Sequence, residues 1–102
     1  MYESKLKSEE VDHLFEAILA LRDEEDCYRF FEDVCTISEI CSIAQRWQVA
    51  RDLDKGMTYS AIAQKTGAST ATVSRVGKCL NYGAEGYRRV LDRLKKDGKK
   101  EK

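Results

Sequence analysis

The sequence contains no proline, only six glycines in 102 residues, one histidine and one tryptophan. Without proline, and with glycine so sparse, there are few points at which a helix must stop, so long stretches remain for helices. The single histidine, His13, falls early in the first apolar stripe and reads as a surface or interface residue. No glycine-rich phosphate loop and no H-E-x-x-H spacing occur. Catalysis needs a convergent acid, base or nucleophile, and none is visible, so no enzyme is expected. The four cysteines (Cys27, Cys35, Cys41 and Cys79) form no C-x-x-C pair. Three of them fall among apolar helical positions, where a free thiol behaves as a small buried hydrophobe. Reduced cytosolic thiols are therefore expected, not a metal site or a cofactor. No segment approaches ~18 consecutive apolar residues, and no apolar run of signal-peptide length opens the chain. A soluble, cytoplasmic protein without a membrane partner is expected.

What is present is enough for one small domain, placed at residues 1–96, with 42% hydrophobic and 35% charged residues. A single layer of helices this short buries its apolar faces poorly, so a partner subunit is expected. The net charge is zero, but it is unevenly spread. Residues 1–54 carry 6 basic and 14 acidic side chains, whereas residues 55–102 carry 12 basic and 4 acidic. A basic half suits phosphates while the acidic half faces solvent or a subunit. Part of the excess is a lysine-rich tail at 97–102, expected to be disordered because it has no apolar content.

Hydrophobic periodicity predicts an all-α chain of about six helices. Ser8 followed by Val11, Leu14, Phe15, Ile18 and Leu21 reads as a capped amphipathic helix over about 9–22. The acidic cluster Asp23-Glu24-Glu25-Asp26 breaks that pattern and supplies negative charge to the start of the next helix, about 25–35. Thr36-x-x-Glu39 has the form of a capping box. It opens a longer helix through Ile40, Ile43, Ala44, Trp47 and Ala50 that ends at Gly56. Trp47 is read as a core or dimer residue. These helices, 9–56, offer the natural dimer surface. A last helix over 85–96 carries Tyr87, Val90, Leu91 and Leu94.

Between them, residues 58–81 carry the functional signal. Thr58 can cap a helix over about 59–65, Gly67 makes a turn, and Ser69 can cap a second helix over about 70–81. A helix-turn-helix needs a small residue where its helices approach, a residue tolerant of positive φ four positions later, and an apolar plug six further on. Ala63, Gly67 and Val73 stand at those places, with Ile62, Ala68 and Val76 completing the apolar set. The second helix is then the recognition helix. It offers Thr70, Ala71, Thr72, Ser74, Arg75 and Lys78 to base edges and phosphates, with the Ser69 cap at its start. Tyr59, Ser60, Gln64 and Lys65 on the first helix suit the backbone or flanking bases. One such unit reads only a few base pairs, so two copies on a palindromic operator are expected.

From about Phe30 to Leu80 the chain resembles the Trp repressor family, in a divergent branch. The marks are Thr36-x-x-Glu39, Arg46, Gly56 and the run Gly67-Ala-Ser-Thr-Ala-Thr-Val-Ser-Arg75. The resemblance implies an intertwined homodimer with interlocking N-terminal helices. It also implies a small effector between the long helix and the recognition helix. In that family a tryptophan indole lies between two arginines, and Arg46 and Arg75 stand at the matching positions. Thr36 and the carbonyls of Asp33 and Cys35 match the parts that hold the ligand's polar end. Three positions depart from the pattern. Val76 replaces a glycine and would intrude on the slot for a flat ring, Cys79 replaces a serine that helps bind the amino group, and Ala50 replaces a larger aliphatic residue. Tryptophan is thereby disfavoured, leaving another amino acid such as histidine, another metabolite, or no effector.

The expected function is a sequence-specific transcriptional regulator, most simply a repressor, binding duplex DNA. A monomeric DNA-binding module for replication or transposition and a protein-interaction adaptor are the alternatives. The absence of a fused motor or nuclease domain disfavours the former, and a steep salt dependence of DNA binding would disfavour the latter.

Overall fold

A computed structural model describes residues 2–97, which form six α-helices and divide into two compact units, one running to Ile37 and the other from Ser38. The first unit holds α1 (Glu9–Leu19) and α2 (Glu24–Val34). Ser8 accepts the Val11 N–H at 3.1 Å, satisfying one of the orphan donors at the start of α1. Asp23 does the same for α2 by accepting from Asp26 N at 2.8 Å, and the first turn of α2 is acidic, as its dipole favours.

The expected helix over 9–22 stops earlier, at Leu19, because Asp26 reaches back to accept the Arg22 N–H at 3.0 Å. That bond takes Arg22 to the entry of α2, while the Leu21 N–H still donates back to Ile18 O at 3.1 Å. No residue of α1 or α2 is buried. Leu14, Phe15, Tyr28 and Val34 are exposed, and Leu19 is 84% exposed. The stripes are amphipathic as the sequence predicts, but the apolar side lies open. Exposed apolar area of this kind is unusual on a stable monomer.

The second unit holds nearly all of α3 (Ile37–Asp54), with α4 (Tyr59–Thr66), α5 (Thr70–Tyr82) and α6 (Gly86–Asp97). α3 opens directly after Thr36, with Glu39 in its first turn. At its end Gly56 adopts φ +90°, the left-handed conformation expected there. The core is a cluster of Val49 and Ala50 from α3, Ile62 from α4, Ala68 from the turn, and Val73 and Val76 from α5. Trp47, Leu53, Met57, Ala63 and Tyr87 pack around it, half-buried. α6 includes Asp97, one residue that the sequence assigns to the tail, and the rest of that tail lies outside the described residues.

Asp54, nearly buried at the end of α3, anchors α6. Arg88 Nη1 stands 2.8 Å from Oδ1 and Lys95 Nζ 2.9 Å from Oδ2. The Lys95 and Arg88 hydrogen bonds hold the Asp54 carboxyl below the usual aspartate range, against the opposing effect of burial. The cysteines depart from expectation. Cys27, Cys41 and Cys79 are exposed and Cys35 is half-buried, all as free thiols.

Candidate nucleic-acid interface

The turn between α4 and α5 is built from local bonds. Thr58 caps α4 by accepting from Ala61 N at 3.1 Å. Gly67 closes it at φ +78°, and its N–H donates to Ala63 O at 2.9 Å. Thr66 Oγ1 donates to Ile62 O at 2.7 Å and accepts from Ala68 N at 3.1 Å. Gln45 on α3 donates to the Thr66 carbonyl at 3.3 Å, which ties the turn to the long helix. Ser69 then caps α5 by accepting from Thr72 N at 3.1 Å. The left-handed residue is required here because α4 must end and the chain reverse within three residues.

The periodicity of α5 separates two faces. Val73, Val76 and Gly77 are buried, whereas Thr70, Ala71, Ser74, Arg75 and Lys78 are exposed. Tyr59, Ser60 and Gln64 are exposed on α4, and Ser69 on the turn. Two expected contact residues are engaged elsewhere. Thr72 is half-buried, not exposed as expected, because Ser69 Oγ donates to its hydroxyl at 3.1 Å and draws it toward the turn. Lys65 remains half-exposed, but its ammonium stands 2.9 Å from Asp52 Oδ1. The exposed set still offers hydroxyls, a guanidinium and an ammonium on one helix face, the chemistry that phosphates and base edges accept.

Gly77 has a role that the helix-turn-helix pattern does not assign. A Cβ at Gly77 would lie 2.6 Å from the Tyr59 hydroxyl oxygen, so the phenol of α4 rests where only a glycine of α5 leaves room. The available signal is a glycine on the buried stripe of a helix, which often marks a close approach. The obstructing atom is the tip of a mobile side chain, so Gly77→Ala is expected to fold normally while displacing Tyr59. Duplex DNA affinity should fall about 5-fold, as for the loss of one hydrogen bond. Fluorescence anisotropy checks this. Tyr59→Ala should cost a similar amount and add little to Gly77→Ala, and full additivity would contradict the linkage.

The candidate effector residues are distributed over both units. Thr36 belongs to the first, directly before α3. Arg46 is exposed on α3, and Arg75 and Cys79 are exposed on α5. Val76 is 1% exposed within the core, in the same cluster as Ala50. Its branched side chain is therefore accommodated by core packing. Cys79 lines an apolar cleft of about 560 Å³ with Trp47, Ala84, Gly86, Tyr87 and Val90. In it Trp47 and Tyr87 stack with centroids 6.2 Å apart and planes 19° from parallel. Burial pushes the Tyr87 phenol up, partly offset by the charge and hydrogen bond of Arg46.

The comparisons with known proteins agree with this architecture. The family model of the Trp repressor protein matches residues 9–95. The uncharacterised protein YerC of Bacillus subtilis (strain 168) is 59% identical over 91 residues, covering 89% of this chain and 88% of that protein. A TrpR-like protein from Eubacterium eligens superposes with a TM-score of 0.84 at 59% identity, covering 88% of this chain and 93% of that one. A Trp repressor candidate from Staphylococcus aureus gives the same TM-score at 50% identity, over 88% of this chain and 90% of that one.

Proposed function

The chain belongs to the Trp repressor family, whose fold serves DNA-binding regulators and not enzymes, and from that premise we propose that it is a sequence-specific transcriptional regulator acting as a repressor. The observation that carries the reading is the division of α5. Its buried face is fixed in the core by Val73 and Val76, so the opposite face, with Thr70, Ser74, Arg75 and Lys78, is presented rigidly outward. The α5 amides at the Ser69 cap suit a phosphate, and the adjacent side chains suit the major groove.

The reading includes a homodimer on a palindromic operator. The open apolar faces of α1 and α2 support it, since a second copy is the partner that a lone small chain always has available. No helix among the described residues is long and apolar enough to cross a membrane. A cytoplasmic location goes with the proposed role. An amino acid or other small metabolite as effector also belongs to the reading, with Thr36, Arg46, Arg75 and Cys79 as the residues the family resemblance assigns. Heat on calorimetric titration with tryptophan or histidine supports that part, and its absence with both removes both ligands.

The test of the main reading is anisotropy titration of labelled duplex DNA across a salt series. Binding should weaken steeply as salt rises, with a slope of about −0.9 in log K against log salt for each phosphate neutralised. A protein that binds no duplex, or binds with no salt dependence, does not have this function.

A further inference from the structure

An acid is fully enclosed on α3, three residues after the buried Val49. Asp52 lies between Ala50 and Leu53 in sequence and is 0% exposed, the one charged residue buried among those described. Its Oδ1 accepts from Lys65 Nζ at 2.9 Å and from Gln48 Nε2 at 3.1 Å. Its Oδ2 is buried without a hydrogen-bond partner. Lys65 sits in the last turn of α4, and its side chain is 49% exposed.

The two ends of this pair differ sharply. Lys65 has access to water and loses little if the pair opens. Asp52 has no access to water and would be left as an unpaired buried charge, a state strongly disfavoured in a protein interior. The cost of opening therefore falls on the carboxylate, and that asymmetry holds the ammonium in place. A phosphate competing for Lys65 must offset the loss at Asp52 before any gain appears.

Building on the DNA-binding reading above, we infer that Asp52 is a positioning residue that latches α4 to α3 through Lys65, and that Lys65 is thereby withdrawn from the phosphate contacts. The helix-turn-helix then approaches DNA with α4 fixed on the long helix. The cations it presents are those of α5, Arg75 and Lys78, and the sequence count of positive charge overstates what the DNA meets. Asp54 acts on Arg88 and Lys95 in the same sense, taking two more positive side chains into ion pairs.

The experiment has two readouts. In thermal unfolding at equal protein concentration, Lys65→Met should lower the midpoint, because it strands the buried carboxylate. Adding Asp52→Asn should return the midpoint most of the way to the parent value, because the isosteric amide removes the charge that needed a partner. If the double variant is no more stable than Lys65→Met, the latch is wrong. In anisotropy titration with mixed-sequence duplex DNA, the double variant should keep the parent salt slope. Lys78→Gln should flatten that slope by about 0.9, the share of one neutralised phosphate. A similar flattening in the double variant would make Lys65 a phosphate ligand and overturn the proposal. If the parent protein bound no duplex at all, the DNA-binding reading would fail, while the unfolding rescue would still decide the latch.

Discussion

Ile62→Ala is expected to destabilise the protein by about 2–5 kcal/mol, the range for removing a fully enclosed aliphatic side chain. Ile62 is 0% exposed and meets Val49 and Ala50 of α3 and Val73 and Val76 of α5 in one cluster. It is the largest of the fully buried side chains and the only residue of α4 that is buried. The turn around it is fixed by Gly67, Thr66 and Gln45, so the backbone has little freedom to collapse into the space left behind. The loss should therefore sit toward the upper part of that range, against a total stability of about 5–15 kcal/mol for a protein of this size. Urea unfolding at matched protein concentration measures it. Ser60→Ala, on the exposed face of the same helix, should stay within about 0.5 kcal/mol and serves as the control. A loss under about 1 kcal/mol for Ile62→Ala would mean that α4 is not seated as described.

The second large effect is on binding alone. The Arg75→Glu, Lys78→Glu double variant should lose duplex affinity on the order of 100-fold or more at moderate salt, with the salt slope flattened by about 1.8 or more. Both side chains are exposed on α5, one turn apart on the face opposite Val73 and Val76. Reversal replaces two phosphate attractions with two repulsions while leaving the core untouched, so the helical circular-dichroism signal and unfolding midpoint should barely change. An unchanged affinity would place the DNA surface elsewhere on the molecule.

The parts of this protein that are legible in its sequence are those set by residues close together in the chain. Ser8, Thr58 and Ser69 cap the helices that follow them because a cap acts on an amide two or three residues away. Gly67 takes its positive φ because the turn is short, and Ile62, Ala63, Ala68, Val73 and Val76 fall on one side by periodicity. The helix-turn-helix is readable for that reason.

What the sequence conceals depends on contacts distant along the chain. Asp54 and Arg88 are 34 residues apart, and Asp52 and Lys65 are 13 apart, so counting charges cannot show which are already paired. Tyr59 against Gly77 is a meeting of two helices that no local rule specifies. Thr72 is less exposed than its place on the helix suggests because its hydroxyl prefers Ser69, one turn back, to solvent. Val76 falls at the family's ligand slot by resemblance. In the fold it lies in the core cluster with Ala50, a placement given by its position on the buried face of α5 and not by the resemblance. Buried cysteines are expected because an apolar stripe implies a covering surface, yet Cys27, Cys41 and Cys79 are exposed on α2, α3 and α5.

The central claim is that α5 turns its Thr70–Lys78 face to duplex DNA, and an amide chemical-shift map of isotope-labelled protein titrated with duplex tests it most directly. The account predicts that the largest changes fall on residues 69–78, with smaller ones at 58–64, while α6 is nearly silent. Changes concentrated on α6 or on α1 and α2, with α5 unmoved, would contradict it.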